Sequence, residues 1–169
     1  VTVLDCGEEN KSVESVSRIW MMLSKQGARR SSILVCVGGG VVTDLGGFAA
    51  STFKRGMRCI NVPTTLLAQV DASLGGKTGF NFNGLKNEIG TFSIPEKVII
   101  DTRFLNHLPV RERMSGFAEM IKHGLLSNRE YLIRLLNLEH QETTQEYMLE
   151  LIRRSVTIKN EIVTRDPRE

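Results

Sequence analysis

The sequence predicts an α/β fold: a parallel sheet with helical crossovers, followed by an all-helical region. Three observations carry this. Apolar runs at 32–37, 57–62 and 97–100 read as strands, and the first of these ends in the glycine turn Gly38-Gly39-Gly40. The segments preceding the first two runs have helical spacing and close on glycine. Beyond Asp101 no strand-like run recurs.

In order, Thr2 to Leu4 reads as the end of a strand. Over 11–26, Val13, Val16, Trp20 and Leu23 recur at helical spacing, and Gly27 is the stop. The run SILVCV (32–37) is continuous and apolar, as in a strand buried on both faces. A second helix covers 41–56 and closes on Gly56; a strand at 57–62 ends at Pro63. A short helix spans 65–73, the glycine-rich stretch 75–90 reads as loop, and KVII (97–100) is the last strand. Helices follow at about 109–126, after Ser127 and after Thr143, the last two because Ser127 with Glu130 and Thr143 with Glu146 have capping-box spacing. Met148, Leu151, Ile152, Ser155, Lys159, Ile162 and Val163 share one side of the last helix. On the helix at 109–126, Met114, Phe117, Ile121 and Leu125 form the expected core face, with Glu119 pointing away from it.

The formal net charge of +3 is spread along the chain, without a basic arm or aromatic interleaving, which argues against nucleic acid and suits anionic metabolites. No apolar run approaches the ~20 residues of a membrane span, and VTVLDCGEEN has no signal-peptide pattern. The 3 cysteines, Cys6, Cys36 and Cys59, have no C-x-x-C spacing, and the latter two read as buried thiols of a reducing cytoplasm.

Chemistry concentrates at 61–87. The glycine turn opening a helix favours a bound phosphate, although GGGVVTD is not GxGxxG, and a tight structural turn accounts for it equally. Gly76-Lys77-Thr78 is not a P-loop, since no glycine stands at Asp71 and a helix precedes it. Asp71 and Lys77 are either a salt bridge or part of an anion site. Glu119 and Lys122, one helical turn apart, are either a surface ion pair or a metal-binding glutamate with a lysine for an anion. His107, His123 and His140 show no zinc spacing, and His123 reads as structural.

The strings GGGVVTDLGGF, KRG, VPTTLLAQVDASLGGKTGFN, LKNEIGTF and GFAEMIKHG, in this order between about Val35 and Gly124, resemble the 3-dehydroquinate synthase family. The resemblance implies a Rossmann-like NAD-binding domain (1–102) and the start of an all-α metal-binding domain (103–169). It implies conversion of 3-deoxy-D-arabino-heptulosonate 7-phosphate to 3-dehydroquinate and phosphate in the shikimate pathway, with catalytic NAD and a divalent metal, zinc or cobalt. It also implies a cytoplasmic homodimer acting on a small sugar-acid phosphate, with no nucleic-acid or membrane partner. Carried over residue by residue, it makes Asp71, Lys77, Glu119 and Lys122 catalytic. Cofactor contacts fall on Gly40, Val41, Val42, Thr43, Asp44, Thr64, Thr65, Lys77 and Lys86, and on Phe104, Leu105, Asn106 and His107. Substrate contacts fall on Arg55 (reaching a neighbouring subunit), Asp71, Asn87 and Lys122, and the metal on Glu119.

Two departures stand out. Asn106-His107 replaces the family's usual Lys-Thr, and the two-histidine metal motif that follows DPxE in the family is absent where the chain stops at Asp166-Pro167-Arg168-Glu169. The chain therefore reads as the middle piece of a longer synthase, lacking both ends and expected to be inactive alone. Rival readings are a sister cyclase of the 2-deoxy-scyllo-inosose or valiolone type, a metal-dependent polyol dehydrogenase, or a non-catalytic fragment.

Overall fold

The computed structural model describes residues 1–138 and 144–166. His140, Thr143 and the terminal Pro167-Arg168-Glu169 lie outside the described residues.

Helix α1 (Val13–Lys25) is capped by Ser12, whose side chain accepts from the Ser15 amide, and it buries Val16, Ile19 and Leu23. Strand β1 (Ile33–Gly38) pairs in parallel with β2 (Arg58–Pro63), and β2 with the short β5 (Lys97–Val98), giving the order β1-β2-β5. Helix α2 (Gly40–Thr52) makes the crossover between β1 and β2. The parallel α/β expectation holds, but β1 is not buried on both faces. Cys36 packs with Ala50 of α2, while Ile33, Val35 and Val37 are 41%, 53% and 55% exposed. The helix covers one face only, and β1 is an edge strand. Thr2 to Leu4 forms no strand, and β5 ends at Val98 rather than Ile100.

The stretch read as loop is an antiparallel hairpin, β3 (Lys77–Phe82) and β4 (Leu85–Phe92). Its turn, Asn83-Gly84, has φ of 50° and 77°, the left-handed pair that a tight hairpin turn requires. Phe48 of α2 meets Phe80 edge-on at 5.1 Å between ring centroids. The Ser51 and Thr91 hydroxyls, 2.8 Å apart, add a polar tie between helix and hairpin.

After β2 the chain enters a helical turn that widens to π geometry over Ala68–Ala72. The Ala68 carbonyl accepts from both the amide (3.1 Å) and the hydroxyl (2.7 Å) of Ser73. Leu66 and Val70 of this segment are buried in the same cluster as Met120, Tyr131, Leu135, Leu151, Ile152 and Ile158 of the helical region. Gln69, fully buried, donates to the carbonyls of Pro63 (3.3 Å) and Asp101 (3.0 Å), tying the turn to the chain at the carboxyl ends of β2 and β5.

A 3₁₀ turn (Thr102–His107) leads to α3 (Val110–Ser127), α4 (Arg129–Leu136) and α5 (Gln145–Arg165). The caps differ from the expected ones by one residue. Asn128, not Ser127, accepts from the Tyr131 amide to start α4, and Thr144 accepts from Tyr147 to start α5. The core face of α3 is also rotated from expectation. Gly116, Met120, His123 and Gly124 are buried, whereas Met114 and Leu125 are 57% and 69% exposed. Glu119 therefore borders the buried face. Helix α3 sits this way because its Gly116 lies against the Leu67 backbone nitrogen and the Leu66 side chain.

A Cβ at Gly116 would lie 2.5 Å from the Leu67 amide nitrogen and 2.6 Å from Leu66 Cβ. Alanine in a helix interior gains ~1 kcal/mol over glycine, but overpacking costs about 1–3 kcal/mol, and backbone cannot move aside as a flexible side chain can. Gly116→Ala is expected to lower stability in urea denaturation. An unchanged or raised midpoint would contradict the packing described.

Candidate active-site cleft

Asp71 sits in the π turn, next to the buried Val70, and projects from it into a cleft of about 490 Å³. The cleft is bounded by Asp44 of α2, Asp71, Ala72, Leu74, Lys77, Asn87, Phe92 and Lys159. Lys159 Nζ lies 2.6 Å from Asp71 Oδ1, close enough for ion pairing but outside hydrogen-bond geometry, so this oxygen is buried without a hydrogen bond. The salt bridge considered between Asp71 and Lys77 gives way to this one, with a lysine from the far end of the chain.

On the adjoining face of α3, Glu119 Oε1 accepts from Lys122 Nζ at 2.8 Å and lies 3.4 Å from His123 Nε2. His123 is 1% exposed, and its Nδ1 is 2.6 Å from Ser155 Oγ on α5. Burial holds the imidazole below its ordinary pKa, against the opposing pull of Glu119 and Asp71. The hydrogen bond to Glu119 raises the Lys122 pKa. One ligand atom each from Asp71, Glu119 and His123 falls within 4.8 Å of the others. Carboxylate and imidazole donors at this spacing fit one divalent cation with bonds of about 2.0–2.2 Å.

The other wall is the first turn of α2. Its N-cap, Gly39, makes no side-chain capping bond, and its carbonyl accepts from the Val42 and Thr43 amides, so only the amides ahead of these, at Gly40 and Val41, are left to meet an anion. Thr43 turns inward, its hydroxyl donating to the Gly40 carbonyl at 3.1 Å. Thr64 joins the two strand ends, its amide donating to the Gly38 carbonyl at 2.9 Å, and Thr65 caps the next turn by accepting from the Ala68 amide at 3.2 Å. Of these residues and the first turn of α2, Asp44 is the one that borders the cleft itself. Burial pushes the Asp44 carboxyl above its ordinary pKa, with the Lys11 ammonium acting the other way.

Comparison with known proteins bears on what this cleft belongs to. The family described as 3-dehydroquinate synthase N-terminal matches residues 1–115, and 3-dehydroquinate synthase C-terminal matches 116–169. The chain belongs to the 3-dehydroquinate synthase family. The 3-dehydroquinate synthase of Parabacteroides distasonis is 50% identical over 169 residues, which are 100% of this chain and 48% of that protein. That of Rhodopirellula baltica is 46% identical over 165 residues, 96% of this chain and 44% of that protein. The chain thus spans about half the length of the curated relatives it matches. Among solved structures, 2-epi-5-epi-valiolone synthase from Streptomyces hygroscopicus, with NAD+ and Zn2+ bound, superposes with a TM-score of 0.89 at 31% identity over 99% of this chain and 48% of that one. A 2-deoxy-scyllo-inosose synthase complexed with carbaglucose-6-phosphate, NAD+ and Co2+ gives 0.81 at 29% identity, over 95% and 44%.

In this member of the synthase family the fold gathers Asp44, Asp71, Lys77 and Asn87 around one cleft, with the Glu119 carboxylate within metal-sharing reach of Asp71. Lys122 is beside Glu119 but largely exposed. Lys86 instead faces a separate groove beside Glu8 and Glu9. Phe104, Leu105, Asn106 and His107 form the 3₁₀ turn, outside the residues lining the cleft; Leu105 is buried in the helical core, and Asn106 accepts from Gln145 at 3.4 Å. Arg55 stands exposed on a left-handed turn (φ 64°), also outside the cleft lining. Sequence reasoning missed Lys159, Lys11 and His123 as site residues. A signal existed for Lys159, a charged residue on the apolar side of α5. Another existed for His123, one turn from Glu119.

Ser155→Ala removes the partner of a buried imidazole nitrogen and is expected to cost about 1–3 kcal/mol in thermal unfolding. Because the folded pKa of His123 lies below the unfolded one, its contribution is complete above about pH 6.5 and is lost as pH falls through the folded value. The melting temperature should fall on acidification from pH 7 toward 5, and less steeply in His123→Gln. Equal slopes in the two proteins would show that His123 does not titrate in this way.

Proposed function

We propose that this chain supplies the cofactor wall and the metal-binding glutamate of a 3-dehydroquinate synthase, which converts 3-deoxy-D-arabino-heptulosonate 7-phosphate to 3-dehydroquinate and phosphate. The observation that carries the reading is the convergence of Asp71, Glu119, His123 and Lys159 beside the open first turn of α2, in a chain 50% identical to such a synthase.

When bound, NAD supplies reversible hydride transfer and the divalent ion Lewis-acid polarisation. The amides at the start of α2, Gly40 and Val41, would take the pyrophosphate against the turn closed by the Val42 and Thr43 amides, with Asp44 at the ribose and Thr64 and Thr65 toward the nicotinamide. Glu119 would hold the metal, with Asp71 and His123 within reach. The Asp71 carboxylate, which lines the cleft and is ion-paired through Oδ1 with Lys159, would accept a hydrogen bond from a substrate hydroxyl and take its proton. Lys77, Lys122 and Lys159 bring positive charge to the acid and phosphate groups and stabilise the departing phosphate.

The same reading divides the chain near residue 102 into a cofactor domain and the start of a metal domain. It places the protein in the cytoplasm as a homodimer in which Arg55, turned away from its own cleft, serves the neighbouring subunit. Among the described residues no helix is long and apolar enough to cross a membrane. A valiolone-type cyclase is the second reading, supported by the TM-score of 0.89. The 50% identity to a dehydroquinate synthase against 31% to that cyclase favours the first.

The protein carrying this chain, given the heptulosonate phosphate, NAD and zinc, is expected to release phosphate without net NADH accumulation and to form 3-dehydroquinate. Steady accumulation of NADH would instead identify a dehydrogenase. Asp71→Asn should slow phosphate release by roughly 10²-fold or more, the scale of a lost proton acceptor. A rate within a few-fold of the parent removes Asp71 from the chemistry.

A further inference from the structure

Lys11 lies outside every motif described so far, yet its side chain is only 5% exposed. Its ammonium reaches two residues distant in sequence. It donates to Asp44 Oδ2 at 2.5 Å and to Asn87 Oδ1. A buried ion pair is a poor source of stability compared with apolar packing, so its presence here calls for another role. Lysine has donors and no acceptor. It can therefore meet only the carbonyl end of the Asn87 amide, which leaves the amide nitrogen as the free end. Asn87 lines the cleft, and its side-chain nitrogen Nδ2 makes no hydrogen bond among the described residues.

The backbone reinforces this arrangement. Asn87 is held at φ 55°, in the left-handed region. Its amide N–H donates to Asn81 Oδ1 at 2.9 Å, and the Asn81 amide N–H in turn donates to the Lys11 carbonyl at 2.8 Å. Side chain and main chain of Lys11 thus clamp the same hairpin position from two directions.

We propose that Lys11 is a positioning residue. It turns the Asn87 amide so that a hydrogen-bond donor faces the cleft, and with the same ammonium it fixes Asp44 at the first turn of α2. A donor so presented selects an acceptor-only ligand group such as a phosphate or carboxylate oxygen. One lysine thereby sets both walls of the cleft, the cofactor side through Asp44 and the anion side through Asn87. The inference rests on the functional reading above for what Asn87 faces, but not for how Asn87 is oriented.

Two variants of this chain, Asn87→Asp and Lys11→Met, test it, with inorganic phosphate as the probe in calorimetric titration and a crystal structure of each. Asn87→Asp gives Lys11 a second carboxylate but removes the donor. It is expected to melt no lower than the parent and to bind phosphate at least about tenfold more weakly, the scale of a lost hydrogen bond to a charged group. Lys11→Met is expected to show the Asn87 amide turned from its parental orientation, with phosphate affinity reduced in parallel. Lys11→Gln serves in its place if the Met variant does not fold. Phosphate affinity within twofold of the parent in Asn87→Asp overturns the proposal. So does an Asn87 amide unmoved in the Lys11 variant. If the parent chain binds no phosphate, the functional reading of the cleft fails, and the orientation of Asn87 in the Lys11 variant alone decides the positioning claim.

Discussion

The site depends on how the turn after β2 is seated. Leu66 and Val70 are almost completely buried among residues of α3, α4 and α5, each burial contributing about 1.5–3 kcal/mol. Gln69 fastens the same turn to carbonyls at the end of β2 and at Asp101. With its neighbours held, Asp71 has little freedom, and the π widening directs it toward the cleft rather than around the next α turn. Such widenings are frequent at functional positions. Gly116 completes the seat, because the helix must approach the Leu67 backbone nitrogen and the Leu66 side chain more closely than any side chain permits.

From that seat the cleft is assembled by elements far apart in sequence. Helix α5 brings Lys159 to Asp71, α3 brings Glu119 and His123, and the segment before α1 brings Lys11 to Asp44 and Asn87. Ser155 orients His123 from behind, so that one face of α5 serves both the core and the chemistry. The hairpin forms the opposite bank and is locked to α2 by the Ser51, Thr78 and Thr91 hydroxyls.

Much of this was legible beforehand. The strand, glycine turn and helix alternation follows from local pattern, and the ordered strings from GGGVVTD to GFAEMIKHG carry the family. Glycine content alone gives a loop over 75–90, whereas the position of Asn83-Gly84 between Phe82 and Leu85 is a local turn signal for the hairpin. The open face of β1 escaped because an apolar run does not reveal whether one or two layers will cover it. The π turn, the rotation of α3 and the role of Lys11 have no local signature, and the charge of Lys159 on the apolar side of α5 does not name its partner. Each is decided by a partner that only the folded chain brings near.

The three carboxylates about the cleft each have an ammonium of their own: Asp44 with Lys11, Asp71 with Lys159 and Glu119 with Lys122. The empty cleft is therefore close to electrically balanced, pair by pair. A divalent cation entering by itself would compete with resident ammonium groups, and an anion by itself would find those three engaged, with Lys77 the cleft lysine that has no ion pair among the described residues. Entering together, a cation on the carboxylates and an anion on the released lysines would keep the balance. Such exchange of counterparts makes each favour the other's binding to the same degree.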